Sequence, residues 1–225
     1  MRPDLIATLQ RGGPRVIVGA VAGLVLLIAV VFIGSTLLSH SPKTNHAPFI
    51  GVGQTVARAT ASLVQEQGQI AVILPEGYQT DDLSVHDEWQ AFCAELKRHP
   101  GVHLLGTEIV DLPTLAEFGL TQIQAADILN KYPTINVLVS FCGIPPWNQA
   151  ELSALPRPAP KIVAVAGGDV PIKGYLASGI AAVVIAPRIP PRTTATQPRS
   201  PAEWFDRSFQ VYTPENYQSL PELTE

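Results

Sequence analysis

Cysteine and clustered positive charge are what this chain has least of. Two Cys in 225 residues, Cys93 and Cys142, exclude a small fold stapled by disulfides. They read either as buried small hydrophobes or as one disulfide. Charged residues make up 15% of the chain, with 15 basic against 19 acidic. No run of Lys and Arg occurs, which argues against nucleic acid and anionic lipid headgroups as partners, since both are recognised through clustered positive charge. Removing residues 1–15, with three Arg and one Asp, leaves a net charge of −6.

The motifs of catalysis and metal binding are missing too. His40, His46, His86, His99 and His103 show no HExxH or other ligand spacing and read as exposed loop residues. Ser140 and Ser153 lack a flanking Gly-x-Ser-x-Gly, so no hydrolase elbow is present. Gly167-Gly168-Asp169 follows a predicted strand without the GxGxxG spacing that cradles phosphate, and reads as a turn. Asp81-Asp82 and Asp87-Glu88 lie near the end of the first predicted strand, where ligands of open α/β sheets bind. A solvated loop and a dipole-stabilised helix N-terminus account for them; calcium binding or catalysis is the competing reading. The expectation is a protein that is not an enzyme and uses no metal or cofactor.

What the chain does have is one long apolar run. Residues 16–38, VIVGAVAGLVLLIAVVFIGSTLL, carry no charge over 23 positions, and about 20 apolar residues suffice for a helix to span a bilayer core. A cleaved signal peptide is the rival, but its apolar core is about 7 to 15 residues long and ends in a small-x-small site. Residues 35–41 offer no such pattern, and no Cys precedes Cys93 for lipoprotein processing. Arg2, Arg11 and Arg15 precede the run and Lys43 alone follows closely. The positive-inside bias therefore places residues 1–15 in the cytoplasm and the remainder outside, in a single pass through the inner membrane.

After a linker at 39–49, apolar runs rich in β-branched residues recur at 69–74, 104–110, 135–141, 161–165 and 180–185, as expected of strands buried on both faces. Helical stretches alternate with them. Trp89, Phe92, Cys93 and Leu96 share one helix face, and further helices are predicted at 54–67, 121–131, 147–154 and 172–178. The alternation predicts an α/β, Rossmann-like lobe over 50–186: a five-stranded parallel sheet flanked by helices, with Ile70, Val72, Leu138, Val163 and Val183 in its core. The segment 187–225 differs. It is Pro-rich to Pro201, with a short helix predicted at 202–209 and then VYTPENY at 211–217.

The helix at 54–67, the strand GQIAVIL, the helix containing Ala91-Phe92 and the run ILNKYPTINVLV at 128–139 together resemble the second lobe of the type I periplasmic sugar-binding proteins, the ribose-binding kind. VYTPENY resembles the segment that closes many of them, so the likeness covers residues 50–220. It implies a lobe whose partner lobe would close over a sugar, and the membrane run stands where that first lobe is expected. It also implies ligand positions. Glu88 stands where the family places Arg, Cys142 where it places Asn, and Ile185 precedes Pro187 where it often has Gln. Asp169 alone matches the family's ligand-binding Asp. A sugar hydroxyl left without a polar partner costs specificity, so these replacements imply that sugar binding has eroded.

Two functional readings follow. In the first, the domain is a membrane-anchored structural subunit of a larger bacterial membrane complex, respiratory or photosynthetic for example, in which Trp204, Phe205, Phe209, Tyr212 and Tyr217 contact a partner. A tail that packs back on its own sheet is the alternative for those aromatics. In the second reading the lobe binds or senses a sugar-type solute together with an ABC transporter or receptor, with Glu88, Cys142 and Asp169 as ligand positions.

Overall fold

The computed structural model describes residues 45–220 apart from 81–82, 112–120, 155–157, 167–171 and 194–195. The apolar run 16–38 and Asp169 therefore lie outside the described residues. No helix among the described residues is long and apolar enough to cross a membrane.

The chain from Asn45 onward forms one compact unit, and its elements alternate. Helix α1 (Ala47–Leu63) leads into β1 (Gly68–Pro75), α2 (Leu83–Leu96), β2 (Val102–Val110), α3 (Gln122–Lys131) and β3 (Val137–Ser140). After them come α4 (Gln149–Ser153), β4 (Lys161–Val165), α5 (Ile172–Ala177) and β5 (Ala181–Pro187), then α6 (Pro201–Ser208) and β6 (Phe209–Tyr212). A 3-10 turn at Tyr217–Ser219 follows. Helix α1 starts earlier than periodicity predicts because Pro48 is tolerated in a first turn. It stops at Leu63 because Gln65 and Glu66 turn to positive φ, 52° and 62°.

One sheet runs β2-β1-β3-β4-β5-β6. The first five strands are parallel, as the alternation predicts. The expected five-stranded, all-parallel sheet is nonetheless corrected to a mixed sheet of six, because β6 pairs antiparallel with β5, Tyr212 opposite Val184 and Phe209 opposite Pro187. The missing strand is four residues long and follows a helix with no intervening turn signal, so periodicity could not isolate it.

Alternating side chains feed two cores. Ile70, Val72 and Leu74 point to one face with Val139, Val163, Val183 and Ile185, under α1, α2 and Phe205 of α6. Ala71 and Ile73 point to the other with Leu138, Ile162 and Val184, under α3, α4 and α5. The five predicted core residues Ile70, Val72, Leu138, Val163 and Val183 are all buried. Strand β2 departs from the expected two-sided burial. It is an edge strand, and Leu104, Leu105 and Ile109 stay exposed.

Two glycines let α1 settle between its neighbours. A Cβ on Gly51 would stand 2.4 Å from the Pro201 carbonyl oxygen of α6, and one on Gly53 2.0 Å from the Glu88 carbonyl oxygen of α2. A side chain at either place would force the helices apart.

Candidate functional site

Strand β1 has β2 on one side and β3 on the other, so the chain reverses its direction of travel across the sheet at the β1/β3 boundary. Open α/β sheets bind ligands in the crevice outside the carboxyl ends of the strands at such a switch point. Here that crevice lies between the turn after Pro75 and the turn after Ser140.

The β1 turn is built by its own backbone. Tyr78 N–H donates to the Pro75 carbonyl at 3.3 Å and Thr80 N–H to the Gly77 carbonyl at 2.9 Å, with Gly77 at φ 74°. Glu76 N–H ties the turn to the end of β2 through the Val110 carbonyl at 2.7 Å. Gln79 Nε2 donates to the Tyr78 hydroxyl at 2.8 Å. The β3 turn is drier. Ser140 is fully buried, and its Oγ accepts from Cys142 N–H at 3.2 Å. Gly143, at φ 85°, donates to the Val165 carbonyl at 3.0 Å. The apolar side chains of the β3 turn fold inward: Phe141 joins the core under α1 and α2, and Cys142, Ile144 and Trp147 join the core on the opposite face, all of them buried.

The residues that the sequence places at ligand positions are mostly withdrawn from this crevice. Cys142 is buried, and burial pushes its thiol well above the ordinary range. Ile185 is fully buried in the core under α1. Glu88 is buried in α2, which packs closely on α1. Cys93 is half-buried, and both cysteines are free thiols, so the disulfide alternative is not realised.

The aromatic tail packs on its own domain. Phe205 and Tyr212, expected as partner contacts, are core residues here at 7% and 2% exposure, because α6 lies on α1 and β6 completes the sheet. Phe205 stacks on Phe209 with ring centroids 6.0 Å apart, and Phe209 meets Phe49 of α1 edge-on at 6.4 Å. Tyr217 packs against the core beneath α5. Trp204 is half-buried, with the Arg207 guanidinium 5.4 Å from its ring centroid.

Two histidines have carboxylate partners rather than free loop positions. His46, just before α1, pairs with Asp87 of α2, and His99 Nδ1 lies 2.6 Å from Glu66. Nothing in their spacing, 41 and 33 residues apart, could have announced these contacts. At the far edge of the sheet Lys131 Nζ donates to Glu108 at 2.7 Å and the Tyr132 hydroxyl donates to the same oxygen. Partial burial works against the Glu108 charge, but these two bonds and the Lys131 charge prevail and hold its carboxyl below the ordinary value.

Neither a protein-family model nor a curated protein matches the chain in sequence. Solved structures do match in fold. An arabinose-binding protein from Geobacillus stearothermophilus superposes with a TM-score of 0.56 at 15% identity, over 77% of this chain and 63% of its own. An ABC transporter solute-binding protein from Burkholderia graminis, in complex with D-arabinose, gives 0.56 at 16% identity over 80% and 63%. The sugar-binding protein of a sugar ABC transporter from Bacillus halodurans gives 0.55 at 16% over 77% and 64%. The chain spans less than two thirds of the length of each, and at these identities the likeness is one of fold.

Proposed function

We propose that this chain is a non-enzymatic, extracytoplasmic solute-binding lobe of the sugar-binding type, working with a membrane transporter or receptor. It is held at the inner membrane by residues 16–38 as a single spanning helix. The observations that carry the reading are the switch point between β1 and β3 and a fold similar, at TM-scores of 0.55 to 0.56, to proteins described as arabinose- and sugar-binding. The exposed Gln79 and Thr80 side chains of the β1 turn supply hydrogen-bonding groups of the kind that fix a sugar's hydroxyls.

A second reading, a structural subunit of a larger membrane complex, is favoured by one observation. Glu88, Cys142 and Ile185 are buried and so are not presented to a solute. A ligand bound by one lobe also keeps much of its surface in water, whereas good pockets bury about 70 to 90% of it.

Calorimetry of the full chain in detergent against a panel of pentoses and hexoses separates the two. A micromolar dissociation constant for any sugar, D-arabinose included, supports the solute reading. Silence across the panel, together with stable co-purification of other membrane subunits in mild detergent, moves the assignment to the structural role.

A further inference from the structure

A basic island sits on an otherwise acidic domain. Arg188, Arg192, Arg199 and Arg207 fall within twenty positions that contain two acidic residues, Glu203 and Asp206. They are spread through the sequence, but the fold lays the backbone of Arg188 and Arg192 alongside Arg207; the Arg188 Nε is itself buried, and Arg192 and Arg199 are exposed. Arg192 N–H donates to the Arg207 carbonyl at 2.8 Å, and Arg188 N–H to the Ser208 carbonyl at 2.8 Å, so the segment after β5 runs along the last turn of α6. Glu203 is engaged locally, accepting from Arg199 N–H at 2.8 Å. Asp206 is exposed on α6.

Apolar surface accompanies the charge. Ile189 is 59% exposed, and Trp204, under Arg207, is half-buried. The Phe49 to Phe209 contact joins this corner to the first turn of α1, which is where the chain arrives from its N-terminal segment. Leu38 and Asn45 are seven residues apart, so no conformation of the linker separates them by more than about 25 Å. On the reading that residues 16–38 span the membrane, on which this inference rests, the first turn of α1 is tethered within that distance of the bilayer surface.

The geometry points to this corner as a lipid-docking face. Ile189 and Trp204 lie at headgroup level, where amphipathic aromatics and exposed apolar side chains are favoured. Arg192, Arg199 and Arg207 engage anionic headgroups, whose surface potential attracts basic residues held within a Debye length. The expectation against anionic headgroups holds for the domain's net charge and fails at this corner. This corner lies at the same carboxyl end of the parallel strands as the switch-point crevice, with β3 and β5 two strand spacings apart, about 10 Å.

The test uses the full chain reconstituted into vesicles, with a fluorophore on Ile189→Cys and quenchers carried on the lipid headgroups. Strong quenching is expected in vesicles containing phosphatidylglycerol. It should be lost in 1 M salt, in pure phosphatidylcholine, and when Arg192→Glu and Arg199→Glu are introduced together. A chain that resists carbonate extraction but shows no quenching overturns the docking face while leaving the anchor standing. Quenching that ignores salt and the double charge reversal overturns the role of the arginines and with it the proposal. A chain that carbonate strips from the vesicles removes the anchor, and the docking face falls with it.

Discussion

Gly53 of α1 and Glu88 of α2 meet backbone to backbone: a Cβ added to Gly53 would stand 2.0 Å from the Glu88 carbonyl oxygen. The resemblance places Glu88 at a ligand position, yet its immediate neighbourhood is this helix contact. An Ala at 53 cannot be absorbed by a side-chain rotation, because the atom it meets is backbone, and Ala91 Cβ closes the space behind at 2.9 Å. Gly53→Ala should therefore destabilise the domain by about 1 to 3 kcal/mol, the usual cost of overpacking. Urea melts of the two proteins decide it, and an unchanged midpoint would show that α1 and α2 are free to separate.

Glu108 gives a prediction with a pH sign. Its folded-state pKa is lowered, so the stability that it contributes is fully present above its unfolded value and is lost as pH falls through the folded one. Glu108→Gln should be less stable than the parent at pH 7. The gap should shrink below about pH 4.5, the ordinary carboxylate value, and close at lower pH. Denaturant midpoints at pH 7 and pH 3 check it; a gap that persists at pH 3 would mean that Glu108 acts through packing and not through its charge.

Parallel strands buried on both faces were legible because they write continuous β-branched runs. Residues 161–165 are predicted and found with identical bounds, and Ile70, Val72, Leu138, Val163 and Val183 are all core. Strand β6 was not legible. Its four residues gain their strand character from pairing with β5, a contact that no local pattern encodes. The edge position of β2 was hidden for the same reason: Leu104, Leu105 and Ile109 look like core residues until the sheet order leaves them without a neighbour. At the site, the resemblance pointed to the positions of Glu88 and Cys142, but burial depends on how helices and turns close in space. The His46 to Asp87 pair and the Arg192 to Arg207 contact are likewise products of tertiary folding.

The C-terminal segment should prove structural for its own domain. Deleting residues 199–225 removes Phe205 and Tyr212, 7% and 2% exposed, whose burial contributes about 1.5 to 3 kcal/mol each. It also strips β5 of its antiparallel neighbour. The truncated chain should lose its cooperative thermal transition or melt far below the parent, as followed by circular dichroism. If it melts with the parent, the segment is an appendage, and Trp204 and Tyr217 return as candidates for contact with another subunit.

Both native cysteines should be slow to react, and that makes topology measurable. Thiolate is the reacting species. Burial raises the pKa of Cys142 well above its ordinary value, and burial also raises that of Cys93, against a smaller opposing effect from Lys97. A membrane-impermeant maleimide at neutral pH should therefore label the folded parent poorly and the denatured parent fully. Against that quiet background, Ser41→Cys should label rapidly in spheroplasts and Thr8→Cys only after the membrane is permeabilised. That pattern follows if Arg2, Arg11 and Arg15 hold the N-terminus in the cytoplasm. The reverse pattern would invert the chain and place the β1/β3 crevice in the cytoplasm, where the transport and sensing readings would both lose their solute. Labelling of both sites without permeabilisation would show that residues 16–38 do not cross the bilayer at all.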